Sequence, residues 1–132
     1  MCIRDRVSTV AELHRAMVAT GFPYDRDQHG AAYGRAVGEV LHHAHGLRRL
    51  GSAALDFAWL AAGRLDGYWE YSLGPWDMAA GALLVAEAGG LITDAHGGPY
   101  GPASKHFVAA NPLIHEDLRQ IVEPVLPPHL EA

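Results

Sequence analysis

Two acidic residues, Glu70 and Asp77, flank a Gly-Pro turn in the middle of the sequence. The aromatic run that ends at Glu70 suits a half-buried strand, and the Gly-Pro pair forbids a helix or a central strand between the acids. Asp77 falls at the start of a helix predicted over 78–88, where negative charge is favoured. Both acids are therefore expected at the sheet edge where open α/β folds bind ligands. One could hold a hard cation such as Mg²⁺ while the other binds substrate hydroxyls.

A plainer interpretation of the same residues remains open. Asp77 could be only a helix cap and Glu70 only a solvated strand end, because caps are common and metal sites are not. Ser52 starts another predicted helix and is followed by small residues from Ala53 onward. These small residues leave room for a sugar-like ligand against the backbone, although Ser52 taken alone is most simply an N-cap.

The composition is that of an ordinary globular domain. The chain has 132 residues, 49% of them hydrophobic and 19% charged, and a formal net charge of −5. That charge argues against a nucleic-acid partner, which requires a basic surface. Cys2 is the single cysteine, so no disulfide framework exists and a cytoplasmic location is expected. No apolar run approaches membrane-spanning length and no signal-peptide pattern is present, so no membrane partner is expected.

Strand and helix patterns alternate along the chain. The predicted strands cover 17–22, 47–50, 68–70, 91–93 and 106–110. The predicted helices cover 31–46, 52–63, 78–88 and 111–123, and a polar turn is expected over 25–29. The alternation predicts an α/β fold of three layers, with helices on both faces of one sheet. The expected buried face of the second helix is Ala54, Leu55, Ala58, Trp59 and Ala62.

The expected domain organisation is one domain over residues 7–126. Residues 1–6 fit nothing that follows and are expected to be an artefactual leader. Residues 127–132 begin with two prolines and show no core signal, so they are expected to form a tail.

The histidines offer a different chemistry. His42, His43 and His45, with His29 upstream, suggest a Zn²⁺ site. His42 and His43 are adjacent on a predicted helix, however, and cannot face one point together. No cysteine or fixed carboxylate joins them. We therefore expect a solvated helix end, where the dipole favours histidine.

Several separated motifs carry a family resemblance. The central ones read Trp-Asp-Met-Ala-Ala-Gly at 76–81 and Glu-Ala-Gly-Gly at 87–90. Upstream stand Leu-Gly-Ser-Ala-Ala-Leu-Asp at 50–56 and Ala-Gly-Arg-Leu-Asp-Gly at 62–67, and downstream Phe-Val-Ala-Ala-Asn-Pro at 107–112. In this order they resemble the inositol monophosphatase family, in its bacterial branch. The resemblance implies a three-layer α/β/α domain equivalent to the C-terminal half of the sugar phosphatase fold.

The resemblance also implies an activity and roles for four residues. Family members are Mg²⁺-dependent phosphoric monoester hydrolases, and the substrate expected here is an inositol monophosphate. Asp77 corresponds to the family's aspartate that binds the second catalytic metal ion. Glu70 corresponds to the glutamate that hydrogen-bonds ring hydroxyls. Ser52 and Ala53 fall where the family contacts the same ring.

The family pattern is only partly present. The family's first half carries a glutamate-rich helix and an Asp-Pro-x-Asp-Gly-Thr run that supply the other metal ligands, and neither occurs in this sequence. We therefore expect the C-terminal, substrate-side half of the enzyme, inactive without its N-terminal half, from a family whose members commonly form homodimers. One alternative is hydrolysis of histidinol phosphate or another small sugar or nucleotide phosphate. The other is a non-catalytic half-domain that binds a polyol or a protein.

Overall fold

A computed structural model describes residues 5–130, which form one five-stranded sheet with helices on both faces. The strands are β1 (Met17–Thr20), β2 (Gly46–Arg48), β3 (Gly67–Tyr71), β4 (Leu91–Thr93) and β5 (His106–Ala110). The α-helices are α1 (Arg26–His43), α2 (Ala53–Ala61), α3 (Pro75–Glu87) and α4 (His115–Val122). Short 3-10 turns cover Leu13–Arg15, Glu123–Val125 and Pro128–Leu130. Within residues 5–130, no helix combines the length and apolar character needed to cross a bilayer.

β3 is the central strand, and the strands around it run in different directions. β1 lies parallel to both β2 and β3, whereas β5 pairs antiparallel with β3 and with β4. The sheet order is therefore β2-β1-β3-β5-β4. Because side chains alternate along a strand, Trp69 and Tyr71 point to one face and Tyr68 and Glu70 to the other.

Each face of the sheet carries its own hydrophobic core. The core under α1 and α4 is built around Val18, Tyr33, Val40, Trp69, Tyr71, Val108, Ile114 and Leu118. The core under α2 and α3 is built around Phe57, Leu60, Leu65, Tyr68, Met78, Val85 and Phe107. This arrangement confirms the predicted three-layer α/β fold.

The buried face of α2 differs from the prediction, which was wrong. Leu55 and Trp59, expected inside, are 55% and 37% exposed. Apart from position 56, every residue of this helix is apolar, so hydrophobic periodicity could not select a face. Packing selects it, because Phe57 lies against Gly81 of α3, where any Cβ would collide with its side chain. The residues that α2 buries are Asp56, Phe57, Leu60 and Ala61.

Three helix starts also differ from the prediction. α3 begins at Pro75, so the expectation that the Gly-Pro pair forbids a helix between the two acids was wrong, because proline is well accommodated in the first turn of a helix. α1 begins at Arg26, so the segment expected to be a polar turn is mostly helical. α4 begins at His115, several residues later than expected. The Asn111 side chain explains the delay, because its Oδ1 accepts a hydrogen bond from the Leu113 N–H at 2.8 Å. Such a side-chain turn competes with helical hydrogen bonding.

The two ends of the described chain pack against the domain. Leu130 is buried in the core under α1 and α4, so the prediction of a tail without core residues was wrong. At the other end, the Val7 amide donates to the Ala88 carbonyl at 3.2 Å. Of the predicted leader and tail, residues 1–4 and 131–132 lie outside the described residues.

Candidate active site

The candidate site is a pocket of about 630 Å³ at the end of β3, beside the first turns of α2 and α3. Both helices begin on the side of the sheet toward which the Glu70 side chain points. Residues that are far apart in the sequence therefore meet here. The pocket is lined by all four residues proposed from the sequence, which are Ser52, Ala53, Glu70 and Asp77.

Glu70 is a buried acid and not a solvated strand end, since only 8% of it is exposed. The Tyr68 hydroxyl donates a hydrogen bond to its Oε2. The carboxylate lies against the backbone of Gly21, in space that a Cβ at that position would fill. Burial raises the pKa of Glu70 to about 7, an effect that the Tyr68 hydrogen bond opposes and the nearby charge of Asp56 reinforces. Glu70 can therefore exchange a proton near neutral pH.

Asp77 lies in the first turn of α3, but it is not the N-cap residue. Gly74 occupies the N-cap position, and its N–H donates to Asp77 Oδ2 at 3.2 Å. Asp77 thus reaches back to cap the helix from inside it, where the helix dipole favours its negative charge. The cap uses Oδ2, and the residue also lines the pocket.

Ser52 holds the N-cap position of α2, with an extended backbone at φ −143° and ψ 105°. Its hydroxyl makes no capping hydrogen bond, so capping does not account for the side chain. The residue before it, Gly51, has a φ of +92°, a left-handed conformation that suits glycine. The turn presents Ser52 and the small Ala53 to the pocket. A hydroxyl and closely approachable backbone are groups that can hydrogen-bond a polyol.

Asp56 is a pocket residue that the sequence analysis did not single out as functional. It is 1% exposed, and its Oδ1 is buried without a hydrogen-bond partner. Burial raises the pKa of Asp56 to about 6, and the positive charge of Arg49 acts against this rise. Asp56 is the only charged residue in α2, so a lone acid inside an apolar helix was the available signal. A buried, unpaired carboxylate oxygen facing a pocket can accept a hydrogen bond from a ligand.

The pocket lining suits Mg²⁺ only in part. Carboxylate oxygens are the ligands that Mg²⁺ prefers, and Asp77 offers one of them. Near-octahedral coordination needs more ligands, however. Among the described residues, no set of three metal-binding side chains with mutually close ligand atoms includes Asp77. Asp77 could therefore fill one ligand position, but the described residues do not complete a Mg²⁺ site around it.

The histidines separate into two groups. His42, His43 and His45 are exposed, as expected for a solvated helix end. In the part of the chain that the structure describes, none of them belongs to a set of potential metal ligands. His29 lies elsewhere, beside His129, with their rings stacked at a centroid distance of 3.6 Å.

The fold and the pocket define an α/β domain with an acidic pocket at the end of its central strand. Comparison with known proteins identifies its family, since the profile described as "Inositol monophosphatase family" matches residues 3–126. This chain belongs to that family.

Relatives of this chain carry two kinds of name. Nus factor SuhB of Escherichia coli (strain K12) is 46% identical over 111 residues, which cover 84% of this chain and 42% of that protein. Inositol-1-monophosphatase of Rhizobium meliloti (strain 1021) is 43% identical over 125 residues, covering 94% of this chain and 47% of that protein. The chain thus spans about half the length of the curated relatives it matches.

Solved structures agree with the family assignment. The inositol monophosphatase of Anabaena (Nostoc) sp. PCC 7120 matches with a TM-score of 0.84 and 39% identity, over 94% of this chain and 49% of that one. The extragenic suppressor protein SuhB of Bartonella henselae matches with a TM-score of 0.83 and 42% identity, over 89% and 46%. The described residues therefore have the fold of about half of such a protein.

Proposed function

We propose that this chain is the C-terminal, substrate-side half of a Mg²⁺-dependent phosphatase that hydrolyses inositol monophosphates to inositol and phosphate. The observation that carries the proposal is the convergence of Glu70, Asp77 and the Ser52-Ala53 turn on one pocket. Family membership supports the reaction class, and the acidic, hydroxyl-accepting lining supports a polyol substrate.

In this proposal Glu70 binds the polyol ring. An ionised carboxylate can accept hydrogen bonds from two neighbouring hydroxyls, and such charge-assisted bonds are stronger than neutral ones. The buried position of Glu70 against Gly21 and Tyr68 fixes its orientation. Ser52 and Ala53 would contact the same ring from the start of α2.

Asp77 would supply one oxygen ligand to Mg²⁺. In such sites, Mg²⁺ ions polarise the phosphate, lower the pKa of the attacking water and stabilise the leaving alkoxide. Because Asp77 provides only one of the ligands required, we propose that the preceding half of the protein provides the rest. The 132-residue chain by itself is then expected to have negligible phosphatase activity.

The same missing half is the proposed occupant of the outer face of α2 and α3. Exposed apolar residues cover this face, including Leu55, Trp59, Leu83 and Leu84. Exposed apolar patches of this kind mark contact surfaces. The pocket that needs further ligands opens beside the same two helices, and about half the length of the relatives lies outside this chain. One neighbouring body could thus cover the face and complete the metal site.

A chimeric enzyme tests the proposal. The N-terminal half of the Rhizobium meliloti relative would be joined to this chain, and phosphate release from inositol 1-phosphate would be measured with and without Mg²⁺. We expect Mg²⁺-dependent turnover that falls by at least about 100-fold in Asp77→Asn, because a metal ligand is lost. Asp117→Asn, the same change at an exposed position of α4, should retain the activity.

The outcomes separate the alternatives. Turnover by the 132-residue chain alone that Asp77→Asn abolishes would contradict the half-enzyme proposal. A preference of the chimera for histidinol phosphate or a nucleotide phosphate would keep the reaction and replace the substrate. A folded chimera that is inactive on the whole panel would reject the phosphatase proposal.

The second candidate is a non-catalytic, protein-binding role, for which the relatives named Nus factor SuhB are the motivation. The exposed apolar face of α2 and α3 would then bind a partner protein and not the missing half. The chimera distinguishes the two roles, because activity lost in Asp77→Asn favours the enzyme. An inactive chimera whose α2 and α3 face stays exposed favours the binding role.

A further inference from the structure

Asp25, His29 and His129 form a cluster that the sequence did not reveal. Each offers one ligand atom, and these three atoms all lie within 4.8 Å of one another. His129 Nε2 is 3.6 Å from Asp25 Oδ2. All three residues are half-buried. Their side chains are therefore partly held by packing, and an ion from solvent can still reach them.

The fold places these side chains together from two distant segments. Asp25 directly precedes α1 and His29 lies one turn further on, so both occupy the same side of the helix. His129 comes from the last 3-10 turn, Pro128–Leu130. The burial of Leu130 in the core anchors that turn beneath α1.

A second contact orients the carboxylate. The hydroxyl of the buried Tyr33 donates a 2.7 Å hydrogen bond to Asp25 Oδ1, and its oxygen lies 3.3 Å from His129 Nε2. Asp25 Oδ2 lies 3.6 Å from the same His129 nitrogen. Tyr33 is itself held by stacking on Tyr71, at a centroid distance of 5.6 Å. Outer contacts of this kind fix ligand orientation in metal sites and are part of their design.

We propose that Asp25, His29 and His129 bind one transition-metal ion of the Zn²⁺ class. Two imidazoles and one carboxylate form a donor set that Zn²⁺ accepts, with a fourth position open to water. Hard Mg²⁺ prefers oxygen ligands and does not suit this set. Asp25 also lines the pocket that contains Asp77, but neither histidine does, and the donor set differs from that of a Mg²⁺ site. The inference does not depend on the proposed phosphatase function.

Binding requires a small rearrangement. Zn–N distances are about 2.0–2.1 Å, so tetrahedral ligand atoms lie closer together than the widest separation in this cluster. The stacked imidazole rings must also tilt apart to direct both lone pairs at one point. Rotation of the half-buried His129 side chain would supply this movement, at the loss of the 3.3 Å contact between His129 Nε2 and the Tyr33 hydroxyl. The bound ion would clamp the last turn onto the start of α1.

Metal titration of the 132-residue chain tests the proposal. After metal removal, Zn²⁺ binding is measured by calorimetry, and the retained metal is measured by elemental analysis. We expect about one Zn²⁺ per chain and an affinity at least about 10-fold lower in His29→Ala and in His129→Ala. His43→Ala is the matched control, because it removes an exposed histidine from the same helix and should leave the affinity unchanged. Excess Mg²⁺ should not displace the zinc.

A stability measurement adds an independent readout. Only the folded chain brings residue 129 to residues 25 and 29, so Zn²⁺ should raise the thermal unfolding temperature of the parent. It should not do so in His129→Ala. Weak binding with no defined stoichiometry, equal affinity in His129→Ala, or an equal loss in His43→Ala would overturn the site.

Discussion

The two helical layers of this domain differ in the polarity of their outer surfaces. The outer sides of α1 and α4 carry charged and polar residues, among them Arg26, Asp27, Arg35, Glu39, Glu116, Asp117 and Gln120. The outer sides of α2 and α3 are mainly apolar, with exposed Ala54, Leu55, Trp59, Ala79, Ala80, Leu83 and Leu84. The polar surface of the first layer is typical of a surface in contact with solvent. The apolar surface of the second layer is typical of one that contacts another protein.

Two of the three charged residues of the second layer lie at the pocket, and the third, Glu87, is exposed at the end of α3. Asp56, the single acid of α2, is buried, and Asp77 of α3 caps its helix beside the pocket. In the first layer, by contrast, Arg119 joins Glu116 and Glu123 in a network on the surface. The comparison supports the proposal that α2 and α3 face a ligand and a covering partner, whereas the outer sides of α1 and α4 face solvent.

The strongest test of this contrast changes one leucine in each region. We expect the 132-residue chain to self-associate through the α2 and α3 face, and Leu83→Lys to weaken association by at least about 10-fold, since a charge resists burial. Leu41→Lys in α1 is a matched control, because Leu41 and Leu83 are 51% and 62% exposed. Sedimentation velocity over a concentration series gives the constants. If both changes weakened self-association equally, the α2 and α3 face would not be the specific contact surface.

Helical glycines provide the next comparison. A Cβ at Gly81 of α3 would collide with Phe57, whereas at Gly34 of α1 it would meet nothing within 4 Å. Gly81→Ala should therefore lower the free energy of unfolding by about 2–3 kcal/mol through overpacking. Gly34→Ala should raise it by about 0.5–1 kcal/mol, because alanine favours the helix. Urea unfolding measures both, and a stabilised Gly81→Ala variant would contradict the close packing of α2 on α3.

The pocket should make stability depend on pH. The pKa of Glu70 is about 7 in the folded chain, above its ordinary value, so the folded state holds this proton more tightly. The resulting stabilisation is present at acidic pH and is lost as pH rises through about 7. Between pH 5 and pH 8 the parent should lose about 2 kcal/mol more unfolding free energy than Glu70→Gln. Urea unfolding at both pH values measures this, and a larger loss in the variant would be inconsistent with a buried, protonated Glu70.

The smallest effect is expected on the polar layer. Arg119 is 2.8 Å from Glu116 Oε1 and 2.6 Å from Glu123 Oε2. Because both partners face solvent, Arg119→Met should lower the unfolding free energy by less than about 1 kcal/mol, and added salt should reduce the difference. Thermal melts at low and high salt measure it. If Arg119→Met lowered the unfolding free energy as much as Gly81→Ala and salt did not change the loss, these ion pairs would be an important source of stability, contrary to this prediction.

Helices and strands were predictable where the hydrophobic pattern and the turn residues were compatible with only one assignment. β4 and β5 begin and end as predicted. α3 ends at Glu87, two residues before the left-handed Gly89, which has a φ of +83°. α2 was assigned the wrong face, because an apolar helix has no polar side to orient it. The sequence predicts a tail in place of the final turn, because a single leucine after two prolines and a histidine gives no periodic signal.

The candidate site was predictable only where its residues belong to local sequence motifs. Glu70, Asp77, Ser52 and Ala53 belong to local motifs that suggest where each element starts or ends. Asp56 and Gly21 were not identified, since their importance lies in contacts across the sheet edge. Their chemistry depends on burial, which residue type alone does not specify.

The sequence by itself determined the alternation of strands and helices, the family, and the candidate acids, because periodicity, turn residues and motifs are local properties of the chain. The tertiary structure decided which face of α2 is buried and that the Glu70 carboxylate lies against Gly21. It also decided that His129 meets Asp25 and His29 from the other end of the chain. These features depend on packing between segments distant in sequence, where close contact and loss of water set the energies.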